Sequence, residues 1–185
     1  MILYINTCVR RDSRTRRLAE CLLEKLGEPF TEVRLEDIVF PVTDEKYLTE
    51  RDKLIDAEDF SDPVFSLANQ FAAADRIVIA APFWDLSFPA ALKQYFEHIN
   101  VRGITFTYTP EGIPRGLCRA KQLYYVMTAG GNYVPEEFGF GYVKAMAQGY
   151  YGIEDVKLIQ AAGLDIEGAD AEGILQDSME NIRRM

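Results

Sequence analysis

The chain has 185 residues, 48% of them apolar and 26% charged, and a formal charge of −9. That length most simply makes one domain, residues 1–185, with room for a full core, and the acidity argues against broad attraction to nucleic acid or anionic lipid. Met1 runs straight into an apolar strand-like segment, and no stretch approaches the ~18 consecutive apolar residues of a membrane span, so a cytoplasmic chain without a membrane partner is expected.

Ile2 to Asn6 reads as a first strand. Arg14 to Leu26 reads as a helix, because Leu18, Leu22 and Leu26 recur at i, i+4 and i+8 on one face. Phe30 to Leu35 fits an edge-like strand, its apolar pattern interrupted by Thr31 and Glu32. From Val42 to Asp62 the composition is charged and turn-rich, which predicts surface loop with a short helix around Thr49 to Glu58, a lid or partner-facing insertion. Asp62 and Pro63 supply a cap and a first helical residue for a helix to about Ala74.

A strand begins at Arg76, and its run Ile77 to Ala81 is continuously apolar, as in a central parallel strand covered on both faces. Pro82 ends it, and a helix from Pro89 to about Asn100 carries the stripe Ala91, Leu92, Tyr95, Phe96 and Ile99. Gly103 breaks that pattern; Ile104 to Gly116 reads as a short extended segment reversed at Pro110 and Gly112. Lys121 to Thr128 is a strong strand, Glu136 to Tyr150 a helix, Val156 to Ala162 a fifth strand, and Asp170 to Arg184 a closing helix with Arg183 and Arg184 at its negative end.

Five strands alternating with helices predict an α/β fold with a parallel sheet, right-handed crossovers and helices on both faces. The first turn, NTCVRRDSRTRRL, contains neither GxGxxG nor GxxxxGK[ST], and Asn6 and Thr7 stand where a phosphoacceptor domain would carry acids. The doubly wound, flavodoxin-like strand order 2-1-3-4-5 is the choice that remains. Cys8, Cys21 and Cys118 form no paired motif and read as free thiols. His98 is the only histidine, read as a partly buried helix residue; no His-based metal site is expected, and a hydrolytic triad is hard to assemble.

Three loops fall at the carboxyl ends of adjacent strands, where open α/β sheets bind ligands. Thr7, Ser13 and Thr15 offer hydroxyls beside exposed helix amides, and Arg14 adds a full charge. Together they make a phosphate site, or else Ser13 merely caps the helix. Phe83, Trp84, Asp85 and Leu86 make either a wall for a flat aromatic ligand or a hydrophobic loop packed on a neighbour. Thr128, Ala129, Gly130, Gly131, Asn132 and Tyr133 include paired glycines that permit close backbone approach, or form an ordinary glycine turn.

With SRTRRLA after the first strand, APFWDLSFPAALKQYFEHI in the middle, GITFTYTPEGIPRGL, and TAGGNY after the fourth strand, nearly the whole chain resembles the FMN-dependent NAD(P)H:quinone oxidoreductases and azoreductases of the flavodoxin-like superfamily. The resemblance implies that Thr7, Ser13, Arg14 and Thr15 hold the FMN phosphate. It implies that Pro82 and Phe83 to Leu86 contact the isoalloxazine ring, and that Thr128 to Gly131 line its pyrimidine and N5 side. It also implies NADH or NADPH as electron donor, with Arg10 and Arg11 as candidate contacts and nothing choosing between the two, and a flat aromatic acceptor reduced by ping-pong hydride transfer. A homodimer follows from it too, with Phe106 and Tyr108 covering the partner's flavin and Asn132 beside them. The chain departs from that family at Asp85, where the aromatic loop usually carries Asn, and at the Thr128 to Tyr133 loop, which often reads Ser-Arg-Gly-Gly or is followed by His. Tyr133 is the candidate proton donor to the reduced acceptor. A rival reading is a flavodoxin-type carrier of single electrons, and a third is a regulatory protein with a degenerate site.

Overall fold

The computed structural model describes residues 1–185. In chain order its regular elements are β1 (Ile2–Asn6), α1 (Arg14–Leu26), β2 (Phe30–Arg34), α2 (Glu45–Asp56), α3 (Ser66–Ala73), β3 (Arg76–Ala80), α4 (Ala90–Ile99), β4 (Phe106–Tyr108), β5 (Pro114–Gly116), β6 (Gln122–Thr128), α5 (Phe140–Met146), β7 (Asp155–Ala161) and α6 (Ala171–Arg184). Five strands form one parallel sheet in the order β2-β1-β3-β6-β7, which is the expected 2-1-3-4-5 once the separate hairpin β4–β5 is set aside.

Strand period two divides the core between the two faces of this sheet. Leu3, Ile5, Ile77, Ile79, Leu123 and Tyr125 point to one side and pack against Phe71 of α3, Leu92 and Phe96 of α4 and Phe140 of α5. Ile2, Tyr4, Val78, Ala80, Tyr124 and Val126 point to the other, against Leu18 and Leu22 of α1 and Leu175 and Met179 of α6. β1 is therefore buried along its length and β3 from Ile77 onward, whereas edge strand β2 buries only Val33. No helix is long and apolar enough to cross a membrane.

The differences from the expected elements have local causes. The helix expected at Thr49 to Glu58 begins four residues earlier, because the Asp44 carboxylate accepts from Tyr47 N at 2.8 Å and starts α2 at Glu45. Asp62 does cap, accepting from Val64 N, but Pro63–Phe65 forms a 3-10 turn before α3 begins. The helix expected from Glu136 starts at Phe140: Gly141 N bonds Glu136 O across a turn, and two glycines weaken helical propensity there. It then widens into a π-turn over Ala147–Tyr151, closed by Gly152 at φ 73°. Ile104 to Gly116 is a real antiparallel hairpin, with Phe106 opposite Gly116 and Tyr108 opposite Pro114. His98 is more buried than expected, with its Nδ1 2.9 Å from the Tyr47 hydroxyl and its ring stacked on Phe40. That contact fastens α2 to α4.

Candidate functional site

A cavity of about 290 Å³ opens at the carboxyl ends of β1, β3, β6 and β7. Its floor is at the point where strand order reverses between β1 and β3. Of the residues expected there, Ser13, Arg14, Thr15, Pro82, Phe83, Trp84, Thr128, Ala129 and Gly130 line it together. Each is placed by bonds that join one loop to the next.

Thr7 N and the Thr7 hydroxyl both donate to Ala80 O at 3.0 Å, extending the β1–β3 pairing by one residue. Thr7 is thereby buried and committed, and it does not line the cavity. The hydroxyl expected at the phosphate is here bonded to the neighbouring strand. Ser13 caps α1, its hydroxyl accepting from Arg16 N at 3.3 Å and its carbonyl from Arg17 N at 3.1 Å. Ser13 thus caps the helix and also lines the cavity. The Arg14 and Thr15 amides at the head of α1 make no bond within the protein. Arg16 folds the preceding loop onto the helix by donating to Cys8 O at 2.6 Å and Arg11 O at 3.3 Å.

Thr15 and Thr128 share a buried hydroxyl pair at 2.6 Å, joining the first loop to the end of β6. Phe83 N donates to Thr128 O at 2.9 Å, tying the aromatic loop to the same residue. Beyond it, Trp84 and Ser87 exchange two backbone bonds around Asp85 at φ 50° and Leu86 at φ 65°. Two successive left-handed residues are the mark of the tightest hairpin turn, where Asn, Asp and Gly are usual; Leu86 sits there at a steric cost of about 1 kcal/mol. Asp85 and Leu86 are exposed at the tip and lie outside the cavity lining. Gly131, Asn132 and Tyr133 also lie outside it, with Tyr133 75% exposed.

The expected cover residues lie elsewhere. Phe106 is largely buried by its own chain, its ring 4.9 Å from that of Tyr150, and what remains exposed lines a hollow with Tyr108. Tyr108 is exposed beside a separate hollow formed with Arg51, Asp56 and Arg102.

Sequence reasoning named three loops and missed the fourth. Leu164 and Asp165, after β7, line the cavity, as do Cys8, Val9, Arg10 and Asp12 from the first loop. Burial pushes the Cys8 thiol up, leaving a neutral group in the wall. The loops after β6 and β7 are zipped together by Leu164 N to Ala129 O, Asp165 N to Gly130 O and Gly163 N to Gly131 O, at 2.9 to 3.2 Å. Arg14 reaches across to this loop, its Nη1 2.8 Å from Asp165 Oδ1 and 3.3 Å from Leu164 O. The available signal was Gly130, where a Cβ would collide with the Asp165 carboxylate.

Residues 1–185 match the family model described as "Flavodoxin-like fold". The chain is 35% identical to the FMN-dependent NADH:quinone oxidoreductase of Clostridium perfringens, over 97% of this chain and 94% of that one. It is 35% identical to the enzyme of the same name from Coprothermobacter proteolyticus, over 100% and 96%. Among solved structures, an azoreductase from Bacillus anthracis superposes with a TM-score of 0.84 at 25% identity, covering 99% of this chain and 96% of that one.

Proposed function

The chain belongs to the flavodoxin-like fold family, and from that premise we propose that it is an FMN-dependent oxidoreductase that takes electrons from NADH or NADPH and reduces quinones or flat azo and nitroaromatic compounds. The observation that carries this reading is the lining of one cavity: anion donors at Ser13 to Thr15, an apolar wall at Pro82 to Trp84, and backbone without bulk at Ala129 and Gly130. The donor set suits FMN. The unbonded Arg14 and Thr15 amides, the positive end of α1 and the Arg14 guanidinium converge where a phosphate dianion needs them. Pro82, Phe83 and Trp84 supply flat apolar contact for a ring system.

When bound, FMN supplies hydride acceptance from the nicotinamide and delivery to the acceptor, so the protein needs no nucleophile of its own. Its residues instead bind, orient and exclude water. The acceptor enters where the nicotinamide has left, which makes the kinetics ping-pong. Tyr133, exposed in the loop after β6, is the residue proposed to give a proton to the reduced acceptor. Three buried free thiols fit a reducing cytoplasmic setting. The working form is a homodimer in which Tyr108, exposed on the hairpin, meets the second copy.

Steady-state oxidation of NADH with a benzoquinone tests the reading. Parallel double-reciprocal lines at varied quinone are expected; intersecting lines contradict the ping-pong order, and absence of turnover with FMN present contradicts the enzyme itself. Sedimentation at micromolar concentration is expected to give a dimer, and a fully active monomer contradicts the assembly.

A further inference from the structure

Arg14 is held in an unusual way for a surface arginine. Both of its bonds, to Asp165 Oδ1 and Leu164 O, are made by the single nitrogen Nη1. Nε and Nη2 make no bond within the protein, which leaves intact the edge of the guanidinium that matches an oxyanion with two parallel N–H donors. The carboxylate that holds Nη1 is itself held. Asp165 N donates to Gly130 O at 2.9 Å and Leu164 N to Ala129 O at 3.2 Å, so the loop after β7 is registered on the loop after β6. Gly130 leaves room for the carboxylate, since any β-carbon there would collide with it.

Stability does not account for this arrangement. The pair is substantially exposed, with 39% of the Arg14 side chain and 65% of that of Asp165 in contact with solvent, and such pairs contribute little to folding. Nor is a carboxylate a natural neighbour for an anion: Asp165 and Asp12 offset Arg10 and Arg14 around the same cavity, so the site gives up net positive charge by including it. What the carboxylate supplies is direction. An unpaired arginine at the mouth of a cavity samples many rotamers, and ordering it when a ligand arrives costs affinity. With Nη1 fixed at two points, that ordering is already done.

We propose that Asp165 is a positioning residue for phosphate recognition: it clamps Arg14 by one nitrogen so that the Nε–Nη2 edge is presented to the phosphate group. This rests on the reading of the cavity as an FMN site. It connects the loop after β7, which was not among the expected site residues, to the head of α1 on the far side of the cavity.

The test compares FMN with riboflavin, which lacks the phosphate, by quenching of flavin fluorescence on apoprotein freed of cofactor. Asp165→Ala is expected to weaken FMN binding about tenfold, as loss of a charge-assisted bond at a partly exposed site does, and to leave riboflavin binding unchanged. Asp165→Asn keeps an acceptor oxygen for Nη1 without the charge, and is expected to stay within about threefold of wild type. In an Arg14→Ala background Asp165→Ala is expected to have no further effect, because the two residues act through one bond. Tighter or unchanged FMN binding in Asp165→Ala overturns the proposal, as do equal losses for both flavins or additive losses in the double variant. A wild-type chain that binds the two flavins equally contradicts the phosphate reading itself. A wild-type preference for FMN over riboflavin that is undiminished in Asp165→Ala contradicts the role of Asp165 alone.

Discussion

Around the cavity, neighbouring loops are joined by polar pairs: the Thr15 and Thr128 hydroxyls, Thr7 on Ala80 O, and Arg14 on Asp165. At the hairpin β4–β5 close packing dominates, with polar anchors only at its base, where the Thr105 hydroxyl donates to Ile99 O at 2.7 Å and the Tyr151 hydroxyl to Asn100 Oδ1 at 2.6 Å. Gly116 lies against the Tyr151 and Gly152 backbone, Phe106 meets Tyr150, and Phe71 meets Tyr151 at 4.8 Å between ring centroids. The two regions should therefore fail differently. The hairpin is sensitive to volume, because interiors close-packed against backbone cannot yield. The cavity is sensitive to the loss of one member of a pair, because the other is left without a partner.

The largest effect is expected at Gly116→Ala, whose methyl would overlap the Tyr151 backbone. A loss of about 3 kcal/mol is expected, or roughly 10 °C in thermal denaturation; a loss below about 1 kcal/mol would show that the hairpin floats on the core. Next comes Thr15→Val, which leaves the buried Thr128 hydroxyl unpaired. It should cost about 2 kcal/mol in the apoprotein. The Thr15→Val/Thr128→Val pair should recover part of that loss, and additive losses would remove the distinction between the regions.

How legible each region was in the sequence follows the same division. Apolar runs such as Ile77 to Ala81, and the Leu18–Leu22–Leu26 stripe, report strands and helices through their period, so the main elements could be read directly, and sheet order followed once the first turn excluded other doubly wound forms. The aromatic and glycine loops announced themselves by composition. Polar pairing across the fold left no such mark. Nothing in the sequence near Arg14 points to Asp165, 151 residues on, and Thr7 could not be distinguished from Thr15 until the strand register showed which hydroxyl lay over Ala80 O. The hairpin was visible as a turn but not as a structure, since three-residue strands are too short to show a period. The π-turn after α5 is packed against by Gly116 from elsewhere in the chain, a contact no local pattern announces.

Two smaller effects sharpen the cavity side. Asp85 is the departure in the aromatic loop, and its left-handed φ suits Asn equally well, so Asp85→Asn isolates charge from backbone. A negative charge there opposes reduction of the flavin; the variant is expected to raise its two-electron potential by about 30 mV, and an unchanged or lower potential in redox titration counts against that placement. Tyr133→Phe is expected to lower turnover by less than about tenfold, the low side of what a positioned proton donor gives, with FMN affinity intact. Equal turnover rejects the donor role.

The least effect concerns His98, outside the cavity. Burial, and then the nearby Arg51 guanidinium, hold its imidazole below the usual range, against a smaller opposing pull from Glu97. The unfolded chain therefore takes up the proton first. Native stability is expected to be full above pH ~6.5, the unperturbed value, and to fall as the pH drops from there toward the folded value. His98→Phe should flatten that part of the profile in denaturant titrations, and an unaltered slope assigns the acid sensitivity to other groups.

The account stands most directly on one anaerobic titration. The protein is purified, loaded with FMN, and its visible spectrum followed as NADH and then a benzoquinone are added. Bleaching of the flavin bands by NADH and their return with the quinone is the expected result. A bound flavin that NADH leaves yellow would make the chain a carrier of electrons and not a reductase, and a chain that retains no FMN would contradict the site.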